Sequence, residues 1–347
     1  MRGDEAPGKA QGGLFVEPSR VRDQRAAFLK ELRSAGRDKL PLYEKYLPLI
    51  GVNGILEGIK THWPKCHSEA HDLGKVIYDR VRDIGTGLRL CADECYSGCM
   101  HGVLMRAFEK AGKPAPHHLD PAAVKPLMTD LCQREPVMTA SYSPGDCAHG
   151  VGHALMYLAS YDIPQAVGAC AGFLNRAMEY YCATGAYMEY VTERDEEDAK
   201  ARSILYPCDT YPYPAACARY KMVHVVRRHY QAGKSPEALR QMCAALTGAV
   251  RVGCFHGLGN AHMPVIQAGK ISIRAVCLNL GEVEERVCID GAMERMAKFQ
   301  EDRAFQVCQE LDGSHKDTCL AAVRRKMYNM NKDLSLYLAA DTKSAPP

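Results

Sequence analysis

No run of apolar residues in this sequence approaches the roughly 18 needed to cross a bilayer as a helix. No block of like charge stands out either. The 44 basic and 41 acidic side chains leave a formal net charge of +3, and they are interspersed, so the basic stripe of a nucleic-acid interface is missing. There is no P-loop, dinucleotide fingerprint, nucleophile elbow or Cys-x-x-Cys-His haem attachment. HExxH is absent too: His67 is followed by Ser68 and Glu69, and His149 by Gly150 and Val151, which disfavours a zinc protease of that type. Strand signals are weak throughout. Residues Met1 to Arg20 lack the apolar core of a signal peptide and read as a flexible leader, so the numbering is expected to start inside a longer precursor.

What is abundant is cysteine. Sixteen residues is an even count, and even counts at regular spacing suggest a disulfide framework formed in an oxidising compartment. One series stands at 99, 147, 182, 217, 254, 288 and 319, a second at 132, 170, 208, 243, 277 and 308. Both advance by about 35 residues, the length of a helix–turn–helix repeat. Breakers fall between the helices at Ser143-Pro144-Gly145, Tyr211-Pro212, Gly233-Lys234-Ser235-Pro236 and Gly313-Ser314. Ser235-Pro236-Glu237 also has the N-cap and first-turn proline of a helix start. The expected fold is all-α, an α-solenoid of helical hairpins.

Within each hairpin the two cysteines lie 9 to 15 positions apart, a separation that a bridge across a tight hairpin satisfies. The expected pairs are Cys132–Cys147, Cys170–Cys182, Cys208–Cys217, Cys243–Cys254, Cys277–Cys288 and Cys308–Cys319. Cys66, Cys91, Cys95 and Cys99 remain for two further bridges of open partnering. The rival reading makes Cys91, Cys95 and Cys99, with His101, a thiolate–histidine zinc site in a reducing compartment. The organisation that follows is a leader over 1–17, a helical cap over 18–90, stapled repeats over 91–330 and a flexible tail over 331–347.

In period and cysteine placement, residues 91–328 resemble the tetratricopeptide-like and secreted cysteine-rich Sel1-like repeat proteins, some of which carry one disulfide per hairpin. The usual consensus residues of those repeats do not match well, so the resemblance implies architecture and a binding-scaffold role, and no functional residue. It implies a protein or peptide ligand on a concave face, and a secreted or periplasmic location.

Residues two and six beyond each cysteine of the first series share a helix face, at about 200° and 240° from it. Down the chain that face reads His101 and Met105, His149 and His153, Thr184 and Met188, Arg219 and Val223, His256 and Asn260, Asp290 and Glu294, then Ala321 and Arg325. A packing face would be Leu, Ala and Val. This one ligates, hydrogen-bonds or carries charge, and it is expected to line the concave surface. His149 and His153 form an i,i+4 pair that can present both imidazoles to one ion, with His101 one repeat earlier. His67 and His71 form a second such pair, and His256 neighbours Asp290 and Glu294. These residues are the candidate ligands of a divalent transition metal (zinc, copper or iron). The competing reading is that the histidines bond between helices. A metal-dependent enzyme would use the same histidines, with Asp290 or Glu294 as general acid or base. His224 and His262 fall off the shared face and read as ordinary. Glycines at 102, 150, 185, 257 and 291 read as close helix-packing positions, at about 1 kcal/mol relative to alanine in mid-helix.

Overall fold

The computed structural model describes residues 18–36, 38–63, 66–91, 94–111, 119–132 and 142–339. The expected leader and the last part of the expected tail lie outside them. Among the described residues the chain is all-helical, without a β-strand. It divides into two compact units, Met1–Val103 and Leu104–Pro347. No described helix is long and apolar enough to cross a membrane.

The first unit opens with α1 (Pro18–Ser34) and α2 (Leu40–His62). They pair through Phe28, whose ring tilts against Tyr43 and Tyr46 at centroid distances of 6.3 and 5.3 Å. Gly51 breaks α2 at φ 69°. Next come α3 (His67–Val81), α4 (Ile84–Leu90) and α5 (Gly98–Ala111), whose first turns belong to this unit. Ala70, Leu73, Val76 and Ile77 recur at helical spacing and bury the inner face of α3. Arg82 in the left-handed region ends that helix, and the Asp83 carboxylate caps the next by accepting from the Thr86 amide at 2.8 Å.

In the second unit short helices alternate with long ones, except that two long helices once follow each other directly. The short ones are α6 (Pro121–Leu131), α8 (Ile163–Ala169), α11 (Pro236–Ala244), α13 (Ile273–Cys277) and α15 (Glu301–Cys308). The long ones are α7 (Pro144–Leu158), α9 (Arg176–Ala201), α10 (Pro214–Gln231), α12 (Gly248–Gln267), α14 (Glu282–Phe299) and α16 (Gly313–Arg325), and α17 (Ser335–Leu338) closes the order. Local chemistry sets the starts. Ser143 and Asp146 make a capping box at α7 with Pro144 in its first turn, and Asn175 caps α9 through the amides of Ala177 and Met178.

All sixteen cysteines are bridged. In this unit the bridges are Cys132–Cys147, Cys170–Cys182, Cys208–Cys217, Cys243–Cys254, Cys277–Cys288 and Cys308–Cys319. Each joins the end of a short segment to the start of a long helix, and each closes a loop worth about 2–3 kcal/mol by the chain-entropy model. In the first unit Cys66 pairs with Cys95 and Cys91 with Cys99. With no thiol left, a thiolate metal site has no ligand here.

The long helices pack in chain order, α7 on α9, α9 on α10, α10 on α12, α12 on α14 and α14 on α16. Three crossings bring backbones together at paired glycines. A side chain on Gly74 would overlap the Cys99 carbonyl, and one on Gly102 the His71 carbonyl. Gly152 stands likewise on Cys182 and Gly185 on His149, while Gly259 stands on Cys288 and Gly291 on His256. Gly102, Gly185 and Gly291 are therefore packing glycines. The crossings also match positions between helix pairs. His71, His149 and His256 correspond to one another, and so do His101, Thr184 and Asp290.

The polar stripe is not an open surface. His149 and His153 are 1 % exposed, Thr184 and His256 0 %, Arg219 and Glu294 2 %. The reason lies after α16. Residues 326–338 fold back, and Tyr328 stacks on His149 with ring centroids 4.4 Å apart. The Tyr181 hydroxyl donates to the Asn329 carbonyl at 2.7 Å, and Tyr337 is buried with its ring edge on His256. This corrects two expectations: the stripe is core rather than a concave ligand surface, and residues 331–338 are a packed strap rather than tail.

Candidate metal centres

In the first unit α3 contributes His67 and His71 one turn apart, and α5 contributes His101. The Gly74–Gly102 crossing brings the two helices close enough for one ring nitrogen of each to lie within 4.8 Å of the others. Ring centroids are 4.7 Å apart for His67–His71, 5.1 Å for His67–His101 and 5.8 Å for His71–His101. His67 Nδ1 lies 3.1 Å from the Cys95 carbonyl. A carbonyl only accepts, so Nδ1 carries the proton and Nε2 keeps its lone pair. That Nε2 faces His71 Nε2 at 3.3 Å. Two nitrogens held about 2.0–2.1 Å from one tetrahedral zinc stand about 3.3 Å apart. Both disulfides of the unit pin this group, since Cys66 precedes His67 and Cys99 lies two residues before His101.

In the second unit α7 carries His149 and His153, and α9 meets both. His149 Nδ1 lies 2.8 Å from Thr184 Oγ1, and His153 Nδ1 lies 2.8 Å from Glu189 Oε2. The two Nε2 atoms are 3.2 Å apart, and the Tyr328 hydroxyl is 3.1 Å from that of His149. Tyr220 and Tyr328 join hydroxyls beneath the Arg219 guanidinium. Burial keeps both phenols protonated, raising them above the usual tyrosine range.

The third group, also in the second unit, is His256 on α12 with Asp290 and Glu294 on α14, which offer atoms within 4.8 Å of one another. Here the protein supplies its own cations. Arg219 pairs with Glu294, while Lys332 on the strap pairs with Asp290 and lies 3.3 Å from Glu294. Arg325 and the Tyr337 hydroxyl also donate to Asp290, at 3.1 and 3.3 Å. Two carboxylates against Arg219 and Lys332 are neutral without a metal, and a dication would have to displace the ammonium. Burial alone would raise both carboxyls, but Lys332 beside Asp290, and Arg219 with Lys332 beside Glu294, hold them below the usual carboxylate range. Burial also lowers His256, against the pull of Glu294, so its imidazole is neutral. Carboxyls held this low are poor proton donors and weak bases near neutrality.

Among the other histidines, His262 is satisfied structurally. Its Nδ1 donates to the Leu258 carbonyl at 2.8 Å and its Nε2 accepts from the Tyr230 hydroxyl at 2.5 Å. His224 sits 3.4 Å from Asp195 in a buried cluster with Lys221 and Arg228. Glu189, Tyr328, Lys332 and Tyr337 are the site residues that the sequence did not single out. Glu189 lies seven positions past Cys182, just off the face that was read, and the other three belong to the strap.

Comparison of the chain with family models, curated proteins and solved structures found no match.

Proposed function

We propose that this is an exported metal-binding protein, secreted or periplasmic, that holds a divalent transition ion through buried imidazoles in a disulfide-stapled helical framework. The observation that carries the reading is the convergence of His67, His71 and His101, one ring nitrogen of each within 4.8 Å of the others. Apolar side chains would fill this place at less cost, because a buried polar ring costs free energy unless it is satisfied. Nitrogen-only donors suit zinc, copper and iron rather than calcium or magnesium, which take oxygen. A helical-hairpin architecture of the Sel1-like or tetratricopeptide-like kind agrees with the hairpin disulfides. Eight disulfides agree with an oxidising compartment.

Elemental analysis of protein made without a histidine tag tests the reading. After reconstitution, about one equivalent of zinc, copper or iron is expected in the wild type, and loss of it in His67→Ala/His71→Ala. A wild type that stays free of metal, or a variant that keeps the full amount, contradicts it.

A further inference from the structure

We propose that His256, Asp290 and Glu294 form a separate ion site of mixed nitrogen and oxygen donors, and that the Lys332 ammonium is the stand-in which a divalent transition ion replaces there. The two carboxylates lie one turn apart on α14, and the imidazole comes from α12 across the Gly259–Gly291 crossing. All three residues are buried, and one ligand atom of each lies within 4.8 Å of the others. His256 supplies the observation that points to an ion. Its Nε2 lies 3.2 Å from Glu294 Oε1, yet neither ring nitrogen has a hydrogen-bond partner among the described residues. A fully buried imidazole left in this way costs free energy. Two ligands of one ion stand so, close together without pointing at each other. Bonds of about 2.0–2.2 Å at a tetrahedral angle put the donor atoms about 3.3–3.5 Å apart.

The strap takes the place of the ion. Lys332 Nζ pairs with Asp290 and lies 3.3 Å from Glu294, so one ammonium bridges both carboxylates as a metal would. A cavity lined by Asp290, Lys332, Asp333 and Tyr337 leads to this pair. Asp333 is exposed, which gives an ion a way to the carboxylates past the strap. One imidazole nitrogen with two carboxylates suits zinc, iron or manganese. Because Lys332 belongs to the strap, exchanging it for an ion also unties residues 326–338 near their middle.

The inference does not rest on the His67, His71 and His101 group, and the test is run in a His67→Ala/His71→Ala parent so that the two readings fail separately. The full oxidised chain is stripped with a chelator, verified as folded by thermal unfolding and titrated with Co²⁺ under visible absorption. The forms compared are the parent, the parent with Lys332→Met, and the parent with Lys332→Met/His256→Ala. Removing an internal competitor raises apparent affinity by the extent to which it had kept the site closed. Lys332→Met is expected to bind Co²⁺ at least about tenfold more tightly than the parent, and His256→Ala to abolish that gain. An affinity no higher than the parent's, or a gain that survives His256→Ala, overturns the inference. Trypsin gives a readout that needs no substitution at Lys332. Saturating Co²⁺ is expected to speed cleavage after Lys332 in the parent and not in its His256→Ala form. Cleavage that Co²⁺ leaves unchanged in the parent, or speeds equally in both, overturns the exchange.

Discussion

His67 donates from Nδ1 to the carbonyl of Cys95, and Cys95 is bridged to Cys66, the residue just before His67. The ligand, its tautomer and the staple therefore form one short loop. Cys91–Cys99 adds a second restraint two residues before His101. Loss of these bridges frees α3 and the start of α5 to separate. Cys66→Ser/Cys95→Ser is expected to weaken metal binding by at least about tenfold, as loss of outer-shell support does. A chromophoric chelator competing for the ion measures this, and an unchanged affinity in the folded variant counts against the link.

Lys332 stands where the third group would otherwise need a metal. Removing one partner of a buried ion pair leaves an uncompensated charge and costs about 3–5 kcal/mol. Lys332→Met is expected to lower unfolding free energy by about that amount, because Asp290 and Glu294 then face only Arg219 and Arg325. Urea denaturation of metal-free protein reads the loss. A change below about 1 kcal/mol would mean that the strap contributes little.

The same pairs set an acid limit. The carboxyls of Asp290 and Glu294 are lowered on folding, from ordinary values of 3.8 and 4.5. A depressed carboxyl contributes stability above its unfolded value, and that contribution fades as pH falls toward the folded one. Stability from this cluster is thus whole above about pH 5 and declines below about pH 4. Carbon-13 NMR of the two carboxyl groups should show both titrating below these ordinary values. Titration of both near pH 4 would contradict the ion-pair account.

Glycine placement yields a paired mutational contrast. A methyl group on Gly185 would overlap the His149 carbonyl, whereas Gly168 in α8 has nothing within 4 Å of the matching position. Gly185→Ala is expected to cost about 1–3 kcal/mol as an overpacked crossing. Gly168→Ala is expected to be neutral or to gain up to about 1 kcal/mol through the unfolded chain. Equal effects at the two positions would sink the close-crossing account.

Much of the helical framework was legible because its signals are local. Cysteines 9 to 15 residues apart report a hairpin directly, and Ser143-Pro144 and Ser235-Pro236 mark helix starts by chemistry within one turn. The HxxxH pairs were legible for the same reason. What the sequence hid depends on tertiary crossings. His101 joins His67 and His71 because Gly74 and Gly102 bring two helices together. Glu189 reaches His153 from 36 residues away, and Tyr328 reaches His149 from 179. The strap was read as tail because Lys332 and Tyr337 lie in a polar stretch without helical period. Burial of the stripe followed from that strap and could not be read without it.

The most direct test of the imidazole-centred account is X-ray absorption at the edge of the bound metal, in oxidised protein carrying zinc or copper. The account predicts a nitrogen shell at about 2.0–2.1 Å with the outer scattering of at least three imidazole rings, and no sulfur shell near 2.3 Å. A shell made of oxygen alone, or one containing sulfur, would contradict it.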